Sequence, residues 1–381
     1  MTDQTLPRTY GVAMVGHAFM GKAHSNAWRN VGAFYPDVPG VRRHVVVGRD
    51  RDSLEHAART LGWDSVSTDY DAVLADDAVD VVDLCVPGHL HAAMAIAALE
   101  AGKHVLVEKP LANTVAEAEA MVDAAARAAD RGVHAMVGFN YRRIPALALA
   151  RQYVESGRLG QVRQARVAYL QDWLADDDAP MTWRLRRETA GSGALGDLAS
   201  HAVDQVRHLL GQDVVRVNGE VRTFVPQRVG EQGREDVTVD DAAWATLQLD
   251  GGAVASVEVT RMATGRKNSL LVELYGSRGA IRFDLEALNE LQVCLDGATS
   301  FTRLLVTDPG QPYVESWWPP GHVLGWDHTF TSQAADLLRC LGEDRAPTPS
   351  FADGLAVQRV LAAIEQSAAG SGTPVDPKET R

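Results

Sequence analysis

The sequence has few cysteines and no long apolar run, and each absence excludes a class of protein. Its 3 cysteines, Cys85, Cys294 and Cys340, are widely spaced and odd in number, so they form neither a disulfide framework nor a paired-cysteine metal site. No apolar run reaches membrane-spanning length, and the polar segment Met1–Arg8 lacks the apolar core of a signal peptide. We therefore expect a cytoplasmic protein without a membrane partner.

Basic residues are also scarce. The 381 residues include 37 basic and 50 acidic side chains, which gives a formal net charge of −13. Such a surface repels phosphate backbones, so we expect no nucleic-acid partner. The apolar share of 46 % and the charged share of 23 % are typical of a globular protein, and the length favours two domains.

The first third of the chain alternates short apolar segments with alanine-rich segments of helical spacing. The apolar segments are Tyr10–Val15, His44–Val47, Val79–Cys85, His104–Glu108 and Val133–Val137. The helical segments between them are Ser53–Leu61, His91–Ala101 and Val115–Ala129. Strands that alternate with helices predict an α/β domain, residues 1–142, in which helices cover both faces of a doubly wound parallel sheet.

The pattern changes after residue 142, where we place the domain boundary. Beyond a helix predicted over Ile144–Ser156, six segments are predicted as strands: Val162–Leu170, Val214–Val225, Ala242–Leu249, Ala253–Val259, Ser269–Tyr275 and Ala280–Leu285. Strands joined without helices predict an α+β domain with a mostly antiparallel sheet over residues 143–381. Two helices, Trp326–Leu341 and Phe351–Ala368, close this domain, and the tail from Gly370 is predicted to be loose.

A glycine-containing turn, Gly16-His17-Ala18-Phe19-Met20-Gly21, follows the first predicted strand. Gly16 permits a tight turn, Gly21 lets the helix approach the strand, and the free amides of that helix can bind a pyrophosphate. Ala18 stands where the dinucleotide-binding pattern has a glycine, which leaves less room at the phosphates. An ordinary strand-to-helix turn is the alternative, but its place in the first βαβ unit favours a bound dinucleotide.

The end of the second strand should decide between NAD and NADP. A carboxylate there holds a ribose hydroxyl, whereas an arginine accommodates a ribose phosphate. Arg49 and Asp50 offer both chemistries, so the choice stays open.

The strand His104–Glu108 runs into Lys109-Pro110, which we expect at the ligand-facing edge of the sheet. Pro110 disfavours a helical conformation at Lys109 and keeps it extended. A surface lysine before a loop is the alternative.

A second candidate motif lies in the C-terminal domain, where a glycine-rich loop leads into a helix that carries Asp197 and His201. Their i, i+4 spacing places both on one helix face. Oxidation of an alcohol needs a base that takes the hydroxyl proton, and histidine titrates near neutral pH. An exposed ion pair and a metal site are the alternatives, although no cysteine or further histidine–carboxylate cluster lies nearby, so we expect no metal.

These motifs together resemble the Gfo/Idh/MocA (glucose–fructose oxidoreductase/inositol dehydrogenase) family. The resemblance rests on the turn Gly16–Gly21, the Glu108-Lys109-Pro110 corner and the segment Gly193–Asp204, and it extends over residues 10–370. It implies an N-terminal Rossmann domain, a C-terminal domain with a large open-faced sheet, a homo-oligomer (dimer or tetramer) and a Lys109–Asp197–His201 catalytic group. The cofactor it implies is NAD, with NADP possible.

Shorter strings extend the resemblance to the levoglucosan dehydrogenase/inositol dehydrogenase-like branch: Phe19–Ser25, Gln171-Asp172-Trp173, Trp183-Arg184 and Gly325–His328. That branch implies hydride transfer from a secondary hydroxyl of a cyclic sugar, an anhydrosugar or an inositol.

Two sets of contact residues follow. The predicted cofactor contacts are Gly16, Ala18, Phe19, Met20, Gly21, Arg49, Asp50, Cys85, Pro87, His91, Glu108, Lys109 and Pro110. The predicted substrate contacts are Lys109, Asn140, Tyr141, Asp172, Trp183, Arg184, Asp197 and His201. Packing is the alternative for the tryptophans, a core or capping role for His91, and solvation for Arg142 and Arg143.

Two other functions remain open on the same fold. One is a non-catalytic regulatory protein that senses a dinucleotide, and the other is a glycoside-processing enzyme with an internally recycled NAD. An intact lysine, aspartate and histidine favour the dehydrogenase.

Overall fold

The computed structural model describes residues 8–231 and 233–380, so the predicted absence of a signal peptide concerns residues that lie almost entirely outside the described part. The strands are β1 (Thr9–Val15), β2 (Gly40–Val47), β3 (Ser65–Ser67), β4 (Val81–Leu84), β5 (His104–Val107), β6 (Ala135–Val137), β7 (Val162–Leu170), β8 (Val214–Arg222), β9 (Gln227–Gly230), β10 (Gly233–Asp236), β11 (Ala242–Leu249), β12 (Val254–Thr260), β13 (Ser269–Gly276), β14 (Ala280–Asp284), β15 (Glu290–Cys294) and β16 (Thr302–Leu305).

The α-helices are α1 (Phe19–Phe34), α2 (Arg51–Leu61), α3 (Tyr70–Leu74), α4 (His91–Glu100), α5 (Val115–Ala129), α6 (Pro145–Glu155), α7 (Arg187–Ala190), α8 (Ser200–Leu210), α9 (His328–Gly342) and α10 (Phe351–Ala369). In the described ranges, none of these helices is both long enough and apolar enough to cross a membrane.

The chain divides into two compact units. The first comprises the described residues up to Leu111, together with Glu117–Asn140 and Gly325–Gly354. The second comprises Ala112–Ala116, Tyr141–Leu324 and the described residues from Leu355 onward.

The first unit is built on a six-stranded sheet in the order β3-β2-β1-β4-β5-β6. All of its strand pairs are parallel. The middle strands are buried on both faces, as in the uninterrupted burial of Val81–Leu84, because helices cover the sheet on either side. Local signals set the helix ends: the Asp50 side chain accepts from the amide of Ser53 at the start of α2, and Gly62 adopts the left-handed conformation beyond its end.

The second unit is built on an eight-stranded sheet in the order β16-β15-β14-β13-β7-β12-β11-β8. Among the described strands of this sheet, only β12 and β7 pair in parallel, so the sheet is mostly antiparallel. Burial alternates along strands such as β12, since one face packs on the helices and the other faces outward. The predicted α/β fold with a second α+β domain is confirmed.

The structure also contains elements that the sequence pattern did not predict. The short strands β3, β9, β10, β15 and β16 were absent from the prediction. The pair β9–β10 has the sequences QRVG and GRED, which lack alternating hydrophobicity, so no pattern signals them. The helix before the tail, by contrast, matches its predicted extent almost residue for residue.

Two C-terminal features differ from the expectation. The segment Gly325–Gly354 packs in the first unit, where the Tyr35 hydroxyl lies 2.8 Å from the Ser332 hydroxyl, rather than with the residues assigned to the second domain. The prediction of a loose tail from Gly370 is wrong: Val375 pairs with Val217 of β8 through two backbone hydrogen bonds of 2.9 Å. Backbone pairing, which composition does not reveal, fixes this tail.

Candidate active-site residues in two units

The glycine turn of the first unit packs so closely that two of its positions admit only glycine. Gly16 has φ +93°, and a Cβ there would stand 2.4 Å from the carbonyl oxygen of Cys85. A Cβ on Gly21 would stand 2.2 Å from the carbonyl oxygen of Gly16, so the helix and the turn approach as closely as backbone permits. Ala18 precedes α1 in an extended conformation, provides no side-chain cap, and is followed by no acidic residue in the first turn. The amides of this helix start are therefore suited to bind an anion.

The neighbouring predicted contacts differ in exposure. Phe19 is 64 % exposed and stacks on Trp326 with ring centroids 5.5 Å apart, while Met20 is half-buried beside it. Arg49 and Asp50 are exposed at the end of β2, and Asp50 uses Oδ1 to accept from the amide of Ser53 at 2.8 Å. The other carboxylate oxygen of Asp50 and the Arg49 side chain are the groups available for a ribose.

Lys109 lies at the end of β5, as predicted, and is half-buried there. Its peptide bond to Pro110 is cis. The buried His91 imidazole braces this corner, because its Nδ1 lies 2.9 Å from the carbonyl oxygen of Pro110 and its Nε2 lies 2.9 Å from that of Val86. Burial lowers the pKa of His91, while the two carbonyl contacts oppose that change, and a neutral ring donates to only one of the two oxygens.

The geometry of His91 therefore favours the core role that the sequence left open. Pro87 precedes the short 3₁₀ turn Gly88–Leu90 that leads to it. A direct cofactor contact of His91 or Pro87 stays a prediction.

Behind this corner lies a cluster that sequence analysis missed, the His24 cluster of His24, Trp28, Asp83 and Glu108. The His24 ring is 2 % exposed; its Nδ1 lies 2.9 Å from Asp83 Oδ2 and its Nε2 lies 3.0 Å from Glu108 Oε1. The indole of Trp28 donates to Asp83 Oδ2 at 2.6 Å. Burial by itself lowers the pKa of His24, but Asp83 and, to a lesser extent, Cys85 together outweigh it and hold that pKa well above the ordinary value. Glu108 is thus occupied inside the protein.

Cys85 adjoins this cluster, and its Sγ lies 3.8 Å from Asp83 Oδ1. His24, Asp83 and Cys85 are close enough to share a cation. However, both imidazole nitrogens already face carboxylates, and burial raises the pKa of the Cys85 thiol to about 12, which disfavours the thiolate that a metal needs. The donor set fits a buried ion cluster better than a metal site.

Asn140 occupies a buried position at the end of the first unit. It is 3 % exposed, and its amide donates to the Thr329 hydroxyl at 2.8 Å. The amide nitrogen is therefore engaged inside the protein, and a ligand contact of Asn140 stays a prediction.

The helix that carries Asp197 and His201 starts unusually in the second unit. Residues Leu195–Ala199 form a π-helical turn that continues into α8, where a plain α-helix was expected. Such wide turns occur often at functional sites. A Cβ on Gly193 would stand 1.7 Å from the carbonyl oxygen of Asp240, so the preceding loop passes as close to this backbone as glycine allows.

Asp240 fixes the start of this turn, although the sequence analysis did not single it out. Its Oδ1 accepts from the amide of Gly193 and its Oδ2 from the amide of Leu195, both at 2.7 Å. Burial raises the pKa of Asp240, while the two amide hydrogen bonds oppose the rise. Two consecutive acids before an apolar strand, Asp240-Asp241, were the available signal.

Asp197 and His201 differ in their surroundings. The Asp197 side chain is 34 % exposed, and Asp197 Oδ2 accepts from Arg261 Nη2 at 3.1 Å. His201 is 6 % exposed and stacks on the Tyr141 ring at 4.4 Å between centroids. The Tyr141 hydroxyl lies 2.8 Å from that of Tyr169. A part-exposed carboxylate and a packed imidazole therefore lie within one turn of the same helix.

The hydroxyl of Tyr169 extends this network. It donates to Asn268 Oδ1 at 2.7 Å, which also accepts from the Gln171 amide at 2.7 Å. Burial raises the pKa of Tyr169 well above its ordinary value, and the charges of Tyr141 and Asp197 add to that rise. The phenol therefore stays protonated near neutral pH and acts as a hydrogen-bond donor.

The loop after β7 carries the other predicted substrate contacts. Trp183 is 40 % exposed, and the guanidinium of Arg184 lies 4.5 Å above its ring. Beneath the loop lies an apolar cluster that fixes it: Leu174, Leu185, Val237 and Val239, with Ala179, Met181 and Met262 packed against them. Asp172 is occupied, because its Oδ2 accepts from Lys267 Nζ at 2.6 Å and from the amide of Gly265 at 3.0 Å. These two bonds lower the pKa of Asp172.

The solvated alternative for Arg142 and Arg143 does not hold. Arg142 is 7 % exposed and Arg143 2 %. Arg142 forms a buried ion pair with Asp204, its Nε lying 3.0 Å from Asp204 Oδ2. Asp204, which belongs to the motif segment Gly193–Asp204, therefore anchors α8 to the segment before α6.

Comparison with known proteins identifies the family. Residues 10–139 match the model of the oxidoreductase family with an NAD-binding Rossmann fold, and residues 147–282 match the GFO/IDH/MocA C-terminal domain. The chain belongs to the GFO/IDH/MocA family. It is an oxidoreductase, and its first unit contains an NAD-binding Rossmann domain.

Several relatives of this GFO/IDH/MocA protein are similar over nearly their whole length. Levoglucosan dehydrogenase of Pseudarthrobacter phenanthrenivorans is 40 % identical over 94 % of this chain and 96 % of that protein. A crystal structure of an oxidoreductase domain protein from Kribbella flavida is 50 % identical, with a TM-score of 0.94 over 97 % of this chain and 99 % of that one. Levoglucosan dehydrogenase in complex with NADH and levoglucosan has 40 % identity and a TM-score of 0.93 over 98 % and 100 % of the two chains.

Proposed function

We propose that this GFO/IDH/MocA protein oxidises a secondary hydroxyl of a cyclic sugar or anhydrosugar, with levoglucosan and inositols as the first candidates. The observation that carries the proposal is the helix of the second unit, which presents the part-exposed Asp197 carboxylate and the packed His201 imidazole within one turn. The 40 % identity to a levoglucosan dehydrogenase supports the substrate class.

The glycine turn fits a dinucleotide. The tight turn at Gly16, Ala18 and Gly21 and the uncapped amides of α1 support binding of the pyrophosphate there, and the exposed Arg49 and Asp50 are proposed to contact the ribose. Phe19, Met20, Cys85, Pro87, His91, Glu108, Lys109 and Pro110 complete the proposed cofactor-binding set. Bound NAD supplies the acceptor for the hydride; use of NADP is the alternative.

The protein's own groups handle the proton. His201 accepts it from the substrate hydroxyl, because a neutral imidazole is basic enough near neutral pH. Lys109 stabilises the negative charge that develops on the same oxygen, and Asp197 orients His201 and balances its charge after proton transfer. Asn140, Tyr141, Asp172, Trp183 and Arg184 are proposed to bind the sugar through polar groups and an aromatic face.

A substrate screen with two variants tests this function. Levoglucosan, hexoses and inositols are each supplied with NAD and with NADP, and NADH or NADPH formation is followed by absorbance. We expect His201→Ala and Lys109→Ala to lower kcat by about 10²- to 10⁴-fold, because each removes a group that acts in proton transfer or charge stabilisation. NADH affinity, measured by fluorescence titration, should stay close to that of the wild type in His201→Ala, because His201 is not part of the proposed cofactor-binding set.

The matched control is His208→Ala, on the same helix but bonded to Arg151 rather than placed in the proposed machinery. It should retain near wild-type kcat. Wild-type turnover in both test variants would contradict the catalytic assignment. Tight NADH binding without turnover on any substrate would favour the sensing protein, and a cofactor that copurifies without exchange would favour the internally recycled one. The homo-oligomeric state and the cytoplasmic location stay predictions.

A further inference from the structure

Arg261 is a buried cation that touches Asp197 and was not singled out by the sequence. It follows β12, is 2 % exposed, and donates from Nη2 to Asp197 Oδ2 at 3.1 Å. Its backbone is fixed on both sides, since its amide donates to the Asp241 carbonyl and its carbonyl accepts from the Leu174 amide, both at 3.1 Å. The guanidinium therefore has a defined place at the start of the Asp197 helix.

The hydrogen bonding of Arg261 is incomplete. Its Nε and Nη1 are buried and have no hydrogen-bond partner among the described residues. Burying a guanidinium with unsatisfied donors costs folding free energy, so stability alone does not explain a cation at this position.

A second arginine buried in the same unit shows what a structural role looks like. Arg228 is 1 % exposed and makes three hydrogen bonds to backbone carbonyls, those of Leu174, Asp176 and Ala179; within residues 8–231 and 233–380 only its Nε lacks a partner. These bonds hold the loop that follows β7 in one conformation. Arg261 instead directs its ion pair at a single carboxylate that remains 34 % exposed.

The surroundings concentrate the charge of Arg261 on Asp197. The Trp173 ring covers the guanidinium with its centroid 5.1 Å from Cζ, which shields the pair from solvent on one side. Asp240 is near enough for its charge to be stabilised by Arg261, but both of its oxygens already accept backbone amides. Asp197, by contrast, receives a hydrogen bond from the Arg261 side chain itself and is 34 % exposed.

We propose that Arg261 is a positioning residue for proton transfer, which holds the Asp197 carboxylate in one orientation so that its negative charge is available one turn from His201. The proposal rests on the proposed function, in which His201 becomes positively charged when it takes the substrate proton. Without Arg261 the carboxylate loses a charge-assisted hydrogen bond that fixes Oδ2, and its orientation toward His201 becomes less well defined.

A double-mutant cycle tests this role. Arg261→Gln, Asp197→Asn and the double variant are compared for kcat and KM on the sugar that the wild type oxidises best in the screen. Arg261→Gln should lower kcat by about 10- to 100-fold, the value of a charge-assisted hydrogen bond, with little change in KM or in NADH affinity. In the Asp197→Asn background the same substitution should cost less than about threefold, because the residues act as one unit.

Two further variants separate positioning from folding. Arg261→Lys keeps the positive charge and should recover most of the lost kcat; it also provides the comparison if Arg261→Gln does not fold. Arg228→Gln is the matched control, equally buried but bonded to the loop, and its effect on kcat should be the same in both Asp197 backgrounds.

The outcomes are distinguishable. Equal losses for Arg261→Gln in the two backgrounds, or a lysine variant as impaired as the glutamine variant, would assign Arg261 to folding and overturn the proposal. Wild-type kcat in Asp197→Asn alone would instead remove Asp197 from the proposed function, and the role of Arg261 with it.

Discussion

Two buried charged groups, one in each unit, differ in how completely their hydrogen bonds are satisfied. In the His24 cluster both imidazole nitrogens meet carboxylates, and Trp28 donates to the same Asp83. In the second unit the Asp197 carboxylate is 34 % exposed, and Nε and Nη1 of the neighbouring Arg261 find no acceptor in the described part of the chain. A saturated cluster stabilises a fold, whereas an unsaturated one keeps groups available for a ligand or a proton.

Among the substitutions that test this comparison, Asp83→Asn is expected to lower stability the most. The substitution removes one charge of a fully buried set and leaves His24 beside an amide, so the free energy of unfolding should fall by about 3–5 kcal/mol. Urea denaturation measures the loss. The kcat of the folded variant, assayed at low temperature, should remain near the wild-type value; a large loss of kcat at unchanged stability would make the His24 cluster part of the active site.

Asp240→Asn should have a smaller effect that bears on the second unit. An amide has only one acceptor oxygen, so one of the two bonds to Gly193 and Leu195 is lost at the start of the π-helical turn. We expect a decrease of about 1.5–3 kcal/mol in the free energy of unfolding together with a reduced kcat. Unchanged kcat despite the lost stability would show that the helix start does not need this cap to present Asp197. Asp250→Asn, at a surface turn, is the control.

The pH dependence of the free energy of unfolding is the third test of the comparison, and its expected effect per pH unit is the smallest of the three. The pKa of His24 is raised in the folded protein above 6.5, so its contribution is complete below that pH and is lost as pH rises through the folded pKa. Across this window the free energy of unfolding should fall by about 1.4 kcal/mol per pH unit from this group. Urea titrations from mildly acidic to alkaline pH measure the slope, and Asp83→Asn should flatten it; equal slopes in both proteins would contradict the assignment.

The sequence was most informative where the local pattern determines the structure. Helix α5 and strands β7 and β11 have the predicted bounds, because periodicity over a long segment reports its burial directly. Strands β9 and β10 lack such a pattern and escaped prediction. The placement of Gly325–Gly354 in the first unit depends on contacts far apart in sequence, which no local signal encodes.

The candidate site divides in the same way. The spacing of Gly16 and Gly21 predicts a tight turn, and in the structure both make close contacts that only glycine permits. No such signal marks Arg261 or Asp240, because in the sequence a single charged residue at the end or the start of a strand cannot be distinguished from an exposed one. Their role depends on contacts with residues that are distant in the sequence and close only in the folded protein.

The pairing of Val375 with β8 has a practical consequence. β8 is an edge strand of the eight-stranded sheet, and the tail occupies part of its open side. Unprotected edge strands are templates on which other chains add strands and aggregate. A truncation at Gly370, which a loose tail would have tolerated, would therefore uncover this edge and favour self-association of the shortened chain.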